Sequence, residues 1–215
     1  TNMNEQYKKQ METKKDFSCM IQGAFADNSG NVTFVYQRTL KVMHQYGTIY
    51  TELGDVALVT TTGEGKEIST TAFRFGIYRL GDHDFFTYNK SFKAIRSYMG
   101  PPIMGSSDWY SGINIIPFKN ATYFYFNNII ENMEKPDNKG ADIINGVSGM
   151  QATKYTYNNG KINKEFIFGK PTKKKETKYI NPEASDFDES NSTYTTILTD
   201  PETKKATVVW RKIDN

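Results

Sequence analysis

Apolar and polar residues alternate with a period of two along most of this chain. Phe17, Cys19, Ile21 and Phe25 share one parity, with mostly polar neighbours between them. After Asn28-Ser29-Gly30-Asn31 the alternation resumes through Val32, Phe34, Tyr36, Leu40 and Val42. Tyr46-Gly47 breaks it, Ile49, Thr51 and Leu53 lead to Gly54-Asp55, and Val56-Ala57-Leu58-Val59 reads as the next strand. Beyond the turn signal Thr62-Gly63-Glu64-Gly65-Lys66, a long strand is expected from Ile68 to Leu80, ended by Gly81-Asp82-His83-Asp84. A two-residue period places alternate side chains on opposite faces of an extended strand, and Gly, Asn, Asp and Ser clusters mark the turns. No interval is long enough for the crossover helix of a parallel pair, so the expected sheet is antiparallel.

The period changes in three places. Met3, Tyr7 and Met11 recur every four residues, which predicts an N-terminal helix over residues 1–16. Ser91 to Met99 reads as a second short helix, capped by Ser91, with an apolar face of Phe92, Ile95 and Met99 and a stop at Gly100-Pro101-Pro102. Ile113, Ile115, Ile116 and Phe118 predict a strand that runs on to about Phe126. Phe126, Ile129, Ile130 and Met133 then predict a short helix. A hairpin is expected across Asn158-Asn159-Gly160, and a last one pairs Tyr194–Thr199 with Ala206–Ile213. Residues 170–193 read as a surface excursion. Its lysines, Lys170 to Lys178, are followed at once by Glu183, Asp186, Asp188 and Glu189, so a solvated, self-neutralising loop is expected.

The fold expected is therefore mainly β, a curved antiparallel sheet or open β-barrel of meander type with two or three short helices. It is expected to be a single domain, 1–215, with an N-terminal helix (1–16), a β-meander (17–90), a helix/loop insertion (91–148) and C-terminal hairpins (149–215).

Composition supports sheet and narrows the partners. Tyr and Phe supply most of an aromatic share of 14%, and such side chains suit a pleated, half-buried surface. A net charge of +3 is too small to call for nucleic acid, and none is expected as a partner. The single cysteine, Cys19, excludes an internal disulfide and any zinc site of several thiolates; it is expected on the inward face with Phe17 and Ile21. No apolar run reaches the roughly 20 residues of a membrane-spanning helix. The chain opens on Thr1, so either a leader has been removed or the sequence starts inside a longer product. The reading adopted is extracytoplasmic, in the cell envelope or secreted, with peripheral membrane association through a removed N-terminal anchor as one expected partnership.

Two clusters carry candidate chemistry. Asp82-His83-Asp84 has the form of a general base or metal ligand flanked by carboxylates. The competing account is a Gly-initiated turn, in which Asp bonds its own backbone. Asp55 with Glu64 and Lys66 imitates a metal-dependent nuclease, but Glu64 and Lys66 fall in a turn. The second cluster is Trp109 and Tyr110 with Asp108 and Asn114, at the end of the unpatterned stretch 100–112. Aromatics beside small polar groups suit sugar stacking or an apolar ligand. The competing account is a loop pinned to the core by its Trp. No metal or cofactor is expected. The functional expectation is a non-enzymatic, exported binding protein that holds an apolar or glycan-like ligand on the concave side of its sheet. The alternatives are a hydrolase using Asp82, His83 and Asp84, and a structural or assembly subunit.

Overall fold

A computed structural model describes residues 19–43, 49–80, 86–88, 94–96, 110, 112–135, 142, 149–173, 176–200 and 202–213. The chain is mainly β, its strands pair antiparallel, and none of the described sheets closes into a barrel. Two compact units form. The first gathers residues 1–84, 134–145 and 159–161, and the second gathers residues 85–133, 146–158 and 162–215.

The first unit is a meander. β1 (Cys19–Ala26), β2 (Val32–Met43), β3 (Ile49–Thr61) and β4 (Glu67–Phe73) lie side by side in chain order, and β5 (Ile77–Leu80) pairs with the other end of β3. Two sequence expectations are corrected here. The break at Gly54-Asp55 is absent, because β3 runs through it. The register of β2 against β3 shifts between Gln37 and Thr39, and Gly54 lies against Arg38, where an added Cβ would meet the Arg38 Cβ at 3.3 Å. The glycine thus marks a bulge rather than a turn. The long strand expected from Ile68 to Leu80 is two strands parted by Arg74, Phe75 and Gly76. Arg74 donates to the Asp55 carboxylate at 2.6 Å, and the Phe75 N–H reaches the other oxygen at 3.4 Å. That pairing fixes the corner.

Cys19 is exposed, and so is Ile21, at 63%. The expected inward face of β1 is corrected by a register shift between Ile21 and Gly23. Gln22 turns inward and its amide donates to Gln37 at 3.1 Å.

In the second unit, β6 (Phe86–Tyr88) pairs with β7 (Ala94–Arg96). The helix expected over Ser91–Met99 therefore does not form at residues 94–96. Nine residues with one β-branched member leave helix and strand close in free energy, and pairing decides. β8 (Asn114–Phe118), β9 (Ala121–Ile129), β10 (Met150–Asn158) and β11 (Lys161–Phe166) form a sheet in the order β11-β10-β9-β8. The continuous strand expected up to Phe126 is instead a hairpin, turned at Lys119, which takes φ 54°. β9 is buried without interruption from Thr122 to Asn128, so no alternation marks it. It ends in the expected short helix, α1 (Ile130–Glu134).

The remaining strands are β12 (Tyr179–Ile180), β13 (Asp186–Asp188), β14 (Thr193–Asp200) and β15 (Lys205–Lys212). β12 and β13 pair with one edge of β14, β15 with the other, and the expected last hairpin forms with the register Thr193↔Lys212 to Asp200↔Lys205. The N-terminal helix expected over 1–16 lies outside the described residues.

Candidate functional site

The second unit has a core in which Tyr125 of β9 stacks on Tyr194 of β14, centroids 4.0 Å apart and planes at 14°. Ile116, Phe118, Tyr123, Ala152, Ile167, Ile180 and Ile213 complete it. Burial pushes the Tyr125 and Tyr194 hydroxyls well above the ordinary phenol range. The segment 178–182 lies against β10, β9 and β8 without joining their ladder, although the Ala152 N–H donates to the Lys178 carbonyl at 2.7 Å. Amide side chains hold the rest of it. Gln151 accepts from the Lys178 N–H at 2.6 Å and donates to the Gly169 carbonyl. Asn127 accepts from the Ile180 N–H and donates to its carbonyl and to that of Tyr110, each at 2.8 Å. Asn114 donates to the Pro182 carbonyl at 2.9 Å and accepts from the Tyr194 hydroxyl at 2.8 Å. Tyr179 and Ile180 are thus built into the core, which corrects the expected surface excursion over residues 170–193. The available signal was Tyr179-Ile180 itself, an apolar pair in a polar run, with a surplus of Asn on the facing strands.

These clamps leave a hollow beside the core. Its volume is about 200 Å³. Ile167, Phe168, Ile180, Tyr194, Thr196 and Val209 line it, with Trp210 and Arg211 of β15. The Arg211 guanidinium donates to the Ile167 carbonyl and so ties β15 to that segment. Trp210 is 72% exposed and its strand neighbour on the same parity, Val208, is 57% exposed. The two side chains share one face of a regular strand and form a small exposed apolar patch. A second hollow of about 320 Å³ is polar, bordered by Lys170 and Lys178 on one side and Glu176, Asp200 and Glu202 on the other. Its lining carries both signs of charge, two lysines and three carboxylates.

Of the residues singled out in the sequence, Asp82, His83, Asp84, Asp108 and Trp109 lie outside the described residues. Tyr110 is buried, 6% exposed, and its carbonyl is held by Asn127. Asn114 is 2% exposed and its amide is taken up by Pro182 and Tyr194. Asp55 belongs to the Arg74 pair, whereas Glu64 and Lys66 stand exposed in the β3–β4 turn. Among the described residues no group of three His, Cys, Asp or Glu side chains is placed to hold a metal ion. No helix among them is long and apolar enough to cross a membrane. Sequence alone does not single out Trp210, because Val208-Val209-Trp210 reads as an ordinary strand run; only its exposure distinguishes it.

No protein-family model matches the chain, and no curated protein or solved structure matches it.

Proposed function

We propose that this chain is a non-enzymatic binding protein whose ligand is glycan-like, a small ring with an apolar face and a hydroxylated rim, taken at the hollow bordered by Trp210. The observation that carries this reading is Trp210, 72% exposed on β15 and among the residues that line the hollow. A sugar ring covers an indole with its C–H face, while its hydroxyls require donors and acceptors at the rim. Arg211 supplies polar atoms there. The volume suits a single ring rather than a long acyl chain, because sites for drug-sized ligands usually run to about 300–1,000 Å³.

The test uses fluorescence. The chain has two tryptophans, so Trp109→Phe leaves Trp210 as the sole indole. Titration with neutral mono- and oligosaccharides is expected to shift and quench its emission saturably. Trp210→Ala should abolish binding in calorimetry and change stability by less than about 0.5 kcal/mol, as an exposed site does. Binding of an apolar dye at Trp210 with no response to any sugar would replace the glycan by an apolar ligand. No response to either would overturn the reading.

A further inference from the structure

β15 is an edge strand, and its ladder phase identifies which backbone groups it leaves open. The register against β14 is unbroken from Asp200↔Lys205 to Thr193↔Lys212. One step further on, the Ile213 N–H donates to the Ser192 carbonyl at 2.8 Å. In an antiparallel pair, hydrogen-bonded and non-bonded positions alternate. Arg211, Val209, Thr207 and Lys205 therefore turn their N–H and C=O groups to β14. Lys212, Trp210, Val208 and Ala206 turn theirs outward, and no described strand pairs with that side. The two outward residues at the centre of the strand, Val208 and Trp210, are also its exposed large apolar side chains. Basic residues flank them, Lys204 and Lys205 at one end and Arg211 and Lys212 at the other, and the strand carries no carboxylate.

We propose that this edge receives an extended, acidic peptide segment as an added strand. The open N–H and C=O groups of Ala206, Val208, Trp210 and Lys212 supply the ladder, and Val208 and Trp210 take apolar side chains at alternate positions. The basic residues at both ends select carboxylates on the incoming segment. A second copy of the chain fits poorly. The symmetric register centred on Val208 sets Lys204 against Lys212 and Lys205 against Arg211. The register centred on Val209 leaves Lys205 diagonal to Arg211. Like charges opposed across a pair are destabilising, and edge lysines are a usual guard against self-association. An acidic segment turns the same charges into attraction. The proposal shares Trp210 with the glycan reading but adds the strand's open backbone edge, which a sugar at the hollow does not need, so Val208→Pro separates the two.

The probe is a short synthetic peptide of alternating valine and threonine between paired terminal glutamates, compared with the same peptide ending in lysines. The intact chain is expected to bind the glutamate form at least tenfold more tightly, with affinity falling as salt rises. Val208→Pro removes an outward N–H that the β14 ladder does not use, as edge strands tolerate. It should abolish binding with the circular dichroism spectrum unchanged. Lys205→Glu with Lys212→Glu should invert the preference for the two peptides, and this pair decides the matter should Val208→Pro disturb the fold. Equal binding of both peptides, or binding of neither, overturns the proposal. So does a dimer that appears on sizing of the wild type and is lost in Val208→Pro, which would assign the edge to a second copy.

Discussion

At the scale of single residues, the second unit depends on side-chain amides doing what a backbone ladder does elsewhere. Asn127 serves three backbone groups at 2.8 Å and is 1% exposed. Replacing it by Ala strands the Ile180 N–H and two carbonyls in the interior. With about 1–3 kcal/mol for each buried group left unsatisfied, Asn127→Ala is expected to destabilise by about 3 kcal/mol or more in urea unfolding. Tyr194→Phe keeps the stack on Tyr125 but removes the hydroxyl shared with Asn114 and Ser185. Its expected cost is about 1–2 kcal/mol. The same two tyrosines set an alkaline limit. Their pKa values are raised in the folded chain, chiefly by desolvation. Stability from keeping them neutral is therefore complete below the free phenol value near about 10 and is lost as pH rises beyond it. Tyrosinate absorbance should show both rings ionising together with unfolding, separately from the exposed tyrosines.

At the scale of elements, hairpins are legible in the sequence and irregular crossings are not. Asn159 (φ 48°) and Gly160 (φ 79°) form the mirror-image turn that Asn-Gly favours, and that dipeptide marks the β10–β11 hairpin in advance. Two β-branched and aromatic runs on either side of Asp200-Pro201 do the same for the last hairpin. Lys119-Asn120 gives a weaker sign, because Asn favours turns but no glycine accompanies it and the largely apolar flanks read as one run. Gly54-Asp55 misleads in the opposite sense. Glycine weakens a strand in general, but here it makes room for Arg38 across the bulge. The candidate site is obscured for a related reason. Asn114 is polar and adjacent to aromatics in sequence, yet its partners lie 68 and 80 residues away, where no local pattern reaches. Two expectations follow for the β3 corner. Gly54→Ala should destabilise the first unit modestly, since the Arg38 side chain must give way at 3.3 Å. Asp55→Ala removes the carboxylate that a largely sheltered Arg74 pairs with. Its cost should be about 1–3 kcal/mol, discounted from a fully buried pair because the Arg74 side chain is 19% exposed. Thermal melts of the two variants check both.

At the scale of the whole molecule, the response to acid should come from the turns. Asp27, Asp188 and Asp200 each accept hydrogen bonds from residues just ahead in the chain, which hold their carboxyls below the usual carboxylate range. A depressed folded pKa contributes stability that is present above the ordinary carboxylate value and lost as pH falls through the folded one. Melting temperature should therefore hold down to about pH 4 and fall below it. Asp188→Asn, which keeps an acceptor for Ser190, should show a shallower fall. The bond between Tyr194 and Asn114 also has a consequence in time. It joins positions 80 apart, and Ile213, the last residue described, belongs to the same core. On the ribosome, β8, β9 and β10 emerge well before Tyr194 and Ile213 exist to cover them. At about 5–20 residues per second, the apolar side of Ile116, Tyr123 and Tyr125 stays open for roughly 4–16 s. Long-range closure of this kind is slow even after release, because the loop must be ordered before its contacts reward it. Synthesis of the chain thus carries an interval in which the nascent sheet is adhesive, and chaperone capture of fragments ending before β14 is the expected sign of it.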